Sequence, residues 1–588
     1  MINTMKKTSF LILLVLACFG YNCYGQEIKN SGLINAASFI PEESIFVHSN
    51  ASLLFSGEYL YYKISCLDNS NSSLSGLSKI AYIELISEKK ERIFRHKIKL
   101  ENGLGQGEFF IPTAITTGAY KLISYTQWMK NGGENYYFQE DIHIVNPYKV
   151  SLNNVEEKKV IITEKSNTNF LFNELVKRNS EILDIEVSGE RFKKRSPITL
   201  NIKNKTNPFV IGNYSMSVRK IDTVIQPKKN TVSHFNKLYI KEKETDVFYP
   251  ELNGEIISGR VIDSESKLPV EDVNVALSIL GKGFIFRVES TDENGVFDIS
   301  VNKEYEPDNG IIQVLDSNRE KYTVEVFETP SVNLDQLTFN SFKITSGMKE
   351  MILERSVNNQ IENAYYSIKP DTIRTITQRN PFYVGYNTTT FVLDEYTHFP
   401  TVKETFLEVV ENAGTTKNKS GDYEFFVRNL EDNDKEYLPL IFIDGLLIQD
   451  HKYLYEFNVR GIEKVSILQG QMKLDSAIYQ GIIIVETKKG DFKNIQQGDF
   501  IEEVILFKPQ HKKDYFKQEY SIENKNVSDR IPDFRTQLLW EPTIELSSEE
   551  EIITFFTSDV TGVFEIELEG FTYNLEPVSI KNYFVVEE

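Results

Sequence analysis

Seven histidines, at positions 48, 96, 143, 234, 398, 451 and 511, are the side chains best able to move a proton near neutral pH. No two lie close in sequence, and no His-x-x-Glu zinc pair or Gly-x-Ser-x-Gly nucleophile motif occurs. A catalytic triad would have to be assembled in space from distant segments. Gly103, Gly105 and Gly107 have the look of a phosphate cradle, but no helical pattern follows them, so a β-turn is expected. "DNSNSS" from Asp68 and "EDNDKE" from Glu431 carry calcium-type oxygens without the ordered ligand spacing of an EF-hand loop. Carboxylates are many because 85 of 588 residues are acidic, and most are expected to be solvated. No catalytic, cofactor-binding or metal-binding residue is assigned.

The N-terminus reads as an export signal. Lys6 and Lys7 precede the apolar run "TSFLILLVLACFG", which is shorter than the roughly 20 apolar residues that cross a bilayer. Cleavage is expected after Gly25, giving 1–25 as a signal peptide; lipid attachment at Cys18 is the alternative. After cleavage only Cys66 remains of three cysteines, so no intrachain disulfide can form and a strand thiol is expected. No later stretch is long and apolar enough for a transmembrane helix. The formal charge is −20, and −22 without Lys6 and Lys7, which argues against nucleic acid or an anionic lipid surface as partner.

With 588 residues the chain exceeds one core, and its 30 Tyr and 39 Phe favour pleated, half-buried surfaces. The expected class is mainly β: a multidomain chain of immunoglobulin-like β-sandwiches with a small α+β domain. In 26–148, "YLYYKIS" and "KIAYIELIS" alternate as half-buried strands. Gly118 is expected to allow a tight turn, and Trp128 to be a core or edge aromatic. "GEYLYYKI", "SKIAYIEL", "GLGQGEFFIP", "TGAYKLISYTQWMKNGG" and "IHIVNP", in that order, resemble a macroglobulin-type domain of the alpha-2-macroglobulin superfamily. Residues 149–226 resemble a second sandwich of that superfamily, and 227–252 read as a polar, loosely packed linker. In 253–330, "ISGRVIDSESKLPVEDVNVALSI" and "STDENGVFDISV" resemble the carboxypeptidase regulatory-like domain, an accessory sandwich without catalytic residues. Asp292 to Gly295 make its hairpin turn.

Residues 331–400 are a connector without a readable pattern. Thr401 and Glu404 then form a capping box, with Phe406, Val409 and Val410 on one helix face and Gly414 as its stop. "PLIFIDGLLI", "RGIEKVSILQG" and "GIIIVETKKG" resemble the plug of TonB-dependent receptors over 401–492, with Asp444-Gly445 as a tight turn. Two departures stand out: one residue separates Tyr479 from Gly481 where plugs carry a longer turn, and no energy-coupling box is evident. Only 96 residues follow Phe492, too few for a barrel of about 22 ten-residue strands. Residues 493–588 resemble the late β-domain of macroglobulin-like proteins, with Gly562 in a "TSD-x-x-G" turn. A Gly-Cys-Gly-Glu-Gln thioester motif is missing.

These resemblances imply an envelope protein of Gram-negative bacteria, exported to the periplasm or the outer membrane. The function expected is non-enzymatic: a protein-binding or scaffold component at the outer membrane. Two other readings stay open. One is an accessory subunit docking on a separate outer-membrane barrel transporter. The other is a macroglobulin-like protease inhibitor without a thioester.

Overall fold

Alternating apolar and polar residues build strands along most of the chain, and the computed structural model is mainly β, a series of immunoglobulin-like sandwiches with one α+β domain. It describes residues 42–149, 175–222, 228–234, 248–281, 283–305, 307–328, 332–374, 387–428, 437–474, 477–492, 497–520 and 530–588. The signal, Cys18, the Gly25 junction and the Glu431 cluster fall outside these. No helix among the described residues is long and apolar enough to cross a membrane, which says nothing of a β-barrel.

In the first sandwich, Tyr59–Asp68 pairs antiparallel with Glu43–Ser49 and with Leu104–Phe110. The facing sheet runs Leu53–Phe55, Phe138–Val145, Gly118–Tyr125, Ile80–Ser87, Arg92–Lys99. Tyr62, Ile64, Ile83 and Leu85 are buried between them, and Trp128 is buried too. Gly118 opens a strand without a left-handed φ, so the turn argument made for it does not hold. The left-handed turn is at Asn102 (φ 51°) and Gly103 (φ 77°). Gly103 is thus a turn residue and Gly105 and Gly107 are strand residues, not a phosphate loop.

The second sandwich corrects the expected domain order. The sequence reading separates residues 149–226 from 493–588, yet their strands share both sheets. One sheet is Leu183–Val187, Pro197–Asn204, Glu550–Phe556; the other is Arg191–Lys193, Pro577–Glu587, Gly562–Thr572, Gly212–Lys220, Gln537–Leu546. Each segment supplies four strands, too few to cover its own apolar face, so the two halves bury Leu200, Ile202, Met216, Phe564, Leu568 and Phe584 together.

The third sandwich is completed from a distance too. Glu255–Asp263 lies between Val296–Val301 and Tyr322–Val326, and Asn274–Ile279 lies between Ile285–Ser290 and Asn309–Leu315. A returning strand, Ile501–Ile505, joins the edge at Asn309–Leu315. Between Val326 and Ile501 stands the α+β domain. Its sheet runs Asn387–Val392, Ile462–Leu474, Ala477–Thr487, Leu440–Ile443, Leu446–Leu447. It therefore starts before Thr401, inside the expected connector. Tyr479 and Gly481 lie within a strand rather than a turn. Thr401 caps the helix Val402–Glu408, its Oγ1 accepting from Glu404 N at 3.2 Å. Phe406, Val409 and Val410 are buried as their spacing predicts. The helix ends at Val409, and Gly414 sits in a following strand. Phe284 and Phe286 of the third sandwich pack with Phe442, Leu468, Ile482 and Ile484 in a shared apolar layer.

The connector also holds the longest helix among the described residues, α1, Lys349–Ala364. Its sequence, KEMILERSVNNQIENA, lacks Gly and Pro and is rich in helix formers, which was the readable signal. Only Met351 and Ile352 of its apolar residues pack inward, on Leu53, Phe55 and Val145; its fully buried residues are polar.

Candidate functional site

The fold does bring a histidine to a serine and a carboxylate. His48, on Glu43–Ser49 of the first sandwich, faces two strands of the second. Its Nδ1 lies 2.7 Å from Ser215 Oγ and its Nε2 lies 3.5 Å from Glu567 Oε2. These three residues are separated by 167 and 352 positions, which is why no local motif reports them. With the proton on Nε2, the ring N–H points at Glu567 and Nδ1 accepts the serine hydroxyl. The composition is that of a hydrolase triad with the two ring nitrogens exchanged. Access is what differs: His48 and Glu567 are 2 % exposed and Ser215 is 0 % exposed. The Trp540 ring covers the imidazole at 5.3 Å between centroids. A substrate carbonyl has no path to Ser215 Oγ, so the arrangement works as a polar weld between sandwiches.

The electrostatics of this seam follow from burial. Burial lowers the His48 pKa to about 4, against the pull of Glu567, so the ring is neutral. Glu567 is held well below the usual carboxylate range despite its burial, because the Lys229 ammonium sits on it. Two neighbours go the other way. Burial pushes Glu140 up to about 7, and burial together with the charge of Glu567 pushes Glu569 up to about 8. Glu140 accepts from Ser49 Oγ (2.6 Å) and Asn230 N (3.0 Å), and Glu569 accepts from Val232 N (2.9 Å) and Ser579 Oγ (2.5 Å). Lys229, Asn230 and Val232 belong to the segment expected to be a loose linker. Their backbone and side chains instead satisfy the buried carboxylates of both sandwiches.

A second weld fixes α1. Arg355 donates to both oxygens of Glu58 (2.7 and 2.8 Å), to Leu53 O (3.0 Å) and to Asp222; Arg219 reaches Glu58 at 2.9 Å. Burial alone would raise the Glu58 pKa, but Arg355 and Arg219 hold it at about 2. Asn359 donates to Glu58 and Asn363 to Gly57 O. The face it buries most deeply is therefore polar. Arg355, Ser356, Asn358 and Asn359 are buried, while Leu353 is 65 % and Val357 45 % exposed. Just beyond its end, Tyr366 stacks on Tyr59 (5.8 Å), which stacks on Tyr61 (5.6 Å), which in turn meets Trp540 (6.1 Å). Phe110 packs on the same Tyr59.

Several of the remaining sequence candidates have structural partners. Asp68 accepts from Ser70 N and Asn71 N, closing its own turn. Cys66 is fully buried, and burial raises its thiol far above the ordinary value. His451 accepts from Phe425 N, and His96 meets Tyr62 and Gln510. Asp444 (φ 48°) and Gly445 (φ 91°) form the left-handed turn, and the Asp444 carboxylate accepts from Thr487 N, Thr487 Oγ1 and Phe492 N. No group of three or more His, Cys, Asp or Glu able to hold a metal occurs among the described residues.

No protein-family model matches the chain, and no curated protein matches it. Among solved structures it is similar to Salmonella alpha-2-macroglobulin reacted with methylamine. The identity is 10%, the TM-score 0.23, and the match covers 92% of this chain and 39% of that one. It is also similar to Escherichia coli alpha-2-macroglobulin in its native conformation (10%, TM-score 0.23, 93% of this chain and 40% of that one). The Yersinia pseudotuberculosis adhesin InvE matches at 10% identity and TM-score 0.12, over 48% of this chain and 59% of that one. The chain thus spans about two fifths of the length of the macroglobulins it matches. TM-scores this low carry no argument about activity or arrangement.

Proposed function

We propose that the chain is a non-enzymatic, exported envelope protein that binds another protein and serves as a scaffold component at the outer membrane. The observation that carries the binding role is helix α1, whose most deeply buried face is polar. A helix on a folded body normally turns its apolar face inward. Here buried ion pairs hold a largely polar face inward, with Met351 and Ile352 packed on Leu53, Phe55 and Val145, and leave Leu353 and Val357 exposed. Burying Arg355 against two carboxylates is costly, and well-packed apolar residues would serve stability as well. The arrangement is reasonable when the outward apolar face has a use. Glu350 flanks that stripe, Glu354 beside it is paired with Lys220 (2.8 Å), and the whole chain carries −20. The partner that fits is a protein with an apolar groove rimmed by basic side chains. The sealed state of Ser215 and His48 supports the non-enzymatic part.

The test is a photo-crosslinking residue placed at Val357 in the full chain, in the cells that produce it. One discrete protein adduct is expected there, and none from Ile505, which is 88 % exposed on another face. The adduct should disappear when Leu353 is changed to Glu. Equal labelling at both positions, or none at Val357, rejects the reading.

A further inference from the structure

A cleft of about 250 Å³ lies where the three sandwiches converge and is walled by segments spread from Lys63 to Thr543. In a chain of net charge −20, its ionisable lining is cationic. Lys63, Lys99, Arg374 and Lys512 face it against Glu101 and Glu304. Three of the cations have carboxylate partners: Lys99 with Glu304 (2.6 Å), Lys512 with Glu101 (3.1 Å), Arg374 with Asp514 (2.6 Å). Lys63 differs. It is only 4 % exposed, and its Nζ donates to two neutral acceptors, Asn213 Oδ1 and Tyr214 O, with no carboxylate in ion-pair reach among the described residues. A buried ammonium without a counter-charge is costly, and it persists where something compensates it.

We propose that this cleft is a binding site for a small polyvalent oxyanion, whose oxygens would be held by Lys63 and Lys512 with Arg374 at the mouth. The chemistry needed is two or more negative oxygens, as in a phosphate group or a polycarboxylate. Glu101 then has a role of its own. It neutralises the exposed lysine in the empty cleft and leaves Lys63 for the ligand. Burial, together with the charge of Lys512, lowers the Lys63 pKa to about 7. An anion between the two ammonium groups would relieve both terms, so binding should strengthen as pH falls from 8 to 6. The charged and titratable groups set around Lys63 in this cleft include Lys512, Glu541 and His511. Because the walls come from all three sandwiches, an occupant would also tie those sandwiches together.

The experiment uses the full chain at pH 6.5 with inorganic phosphate and citrate as probes, each against sodium chloride at matched ionic strength. Saturable binding by calorimetry and a rise in melting temperature are expected with at least one probe and not with chloride. Phosphate alone binding points to a phosphorylated ligand, and citrate alone to a polycarboxylate. Lys63→Met should abolish binding. Lys512→Gln and Arg374→Gln change exposed residues and keep the test valid if Lys63→Met fails to fold. Each should weaken binding by about tenfold, the effect of one charge-assisted hydrogen bond. Lys203→Gln, on the second sandwich, should change nothing. Equal response to chloride, or binding untouched by Lys512→Gln and Arg374→Gln, overturns the proposal.

Discussion

Replacing Gly445 with Ala separates two explanations of the same turn. The backbone there has φ 91°, a region in which a side chain is strained by about 1–3 kcal/mol. The structure adds a second cost. A Cβ on Gly445 would run into Phe284 Cβ and lie 2.6 Å from Phe284 Cγ, in the apolar layer joining the α+β domain to the third sandwich. Forcing an atom into such a layer costs about 1–3 kcal/mol more. The expected total is about 2–6 kcal/mol, and Gly445→Val should exceed Gly445→Ala. Urea unfolding of the full chain, followed at its first transition, measures it; several domains make a single two-state fit unsafe. The decisive measurement is a double-mutant cycle with Phe284→Gly, which removes both the Cβ and the ring that meet the new atom but leaves the turn. If the close approach matters, the Gly445→Ala cost should fall by about 1–2 kcal/mol in that background. An unchanged cost would leave turn strain as the whole explanation and refute the contact argument.

Three more outcomes are expected. Arg355→Met should destabilise the protein by about 3–5 kcal/mol, since Glu58 and Asp222 are left buried without it, and Arg355→Met with Glu58→Gln should recover part of the loss in the same unfolding assay. Glu140 has a folded pKa raised to about 7 from an ordinary 4.5, so its contribution is present in full below pH 4.5 and is lost as pH rises through 7; Glu140→Gln should therefore flatten the fall in melting temperature between pH 5 and 8, and an unchanged pH profile would count against the assignment. Cys66 should resist a thiol reagent in the folded chain and react on unfolding, and a serine-directed fluorophosphonate should leave Ser215 unlabelled; rapid native labelling of either would show that these strands open.

What the sequence determined by itself was local. Period-two alternation in "YLYYKIS" marks a strand because successive side chains leave a pleated backbone on opposite faces. Thr401 with Glu404 marks a helix start, and Asp444-Gly445 a left-handed turn, because a few neighbouring residues satisfy those geometries. Tertiary structure decided the rest. Pairing partners such as Pro197 with Phe556, or Asn309 with Ile505, are set by which apolar edges remain uncovered after the intervening chain has folded, and sequence distance holds no record of that. Helix α1 escaped recognition because its most deeply buried face is polar and is stabilised by Glu58 and Asp222, 297 and 133 residues away. The same holds for His48, Ser215 and Glu567: each is an ordinary strand residue in sequence. Only the packing of two sandwiches gives the imidazole a hydroxyl and a carboxylate, and that same packing seals it from solvent.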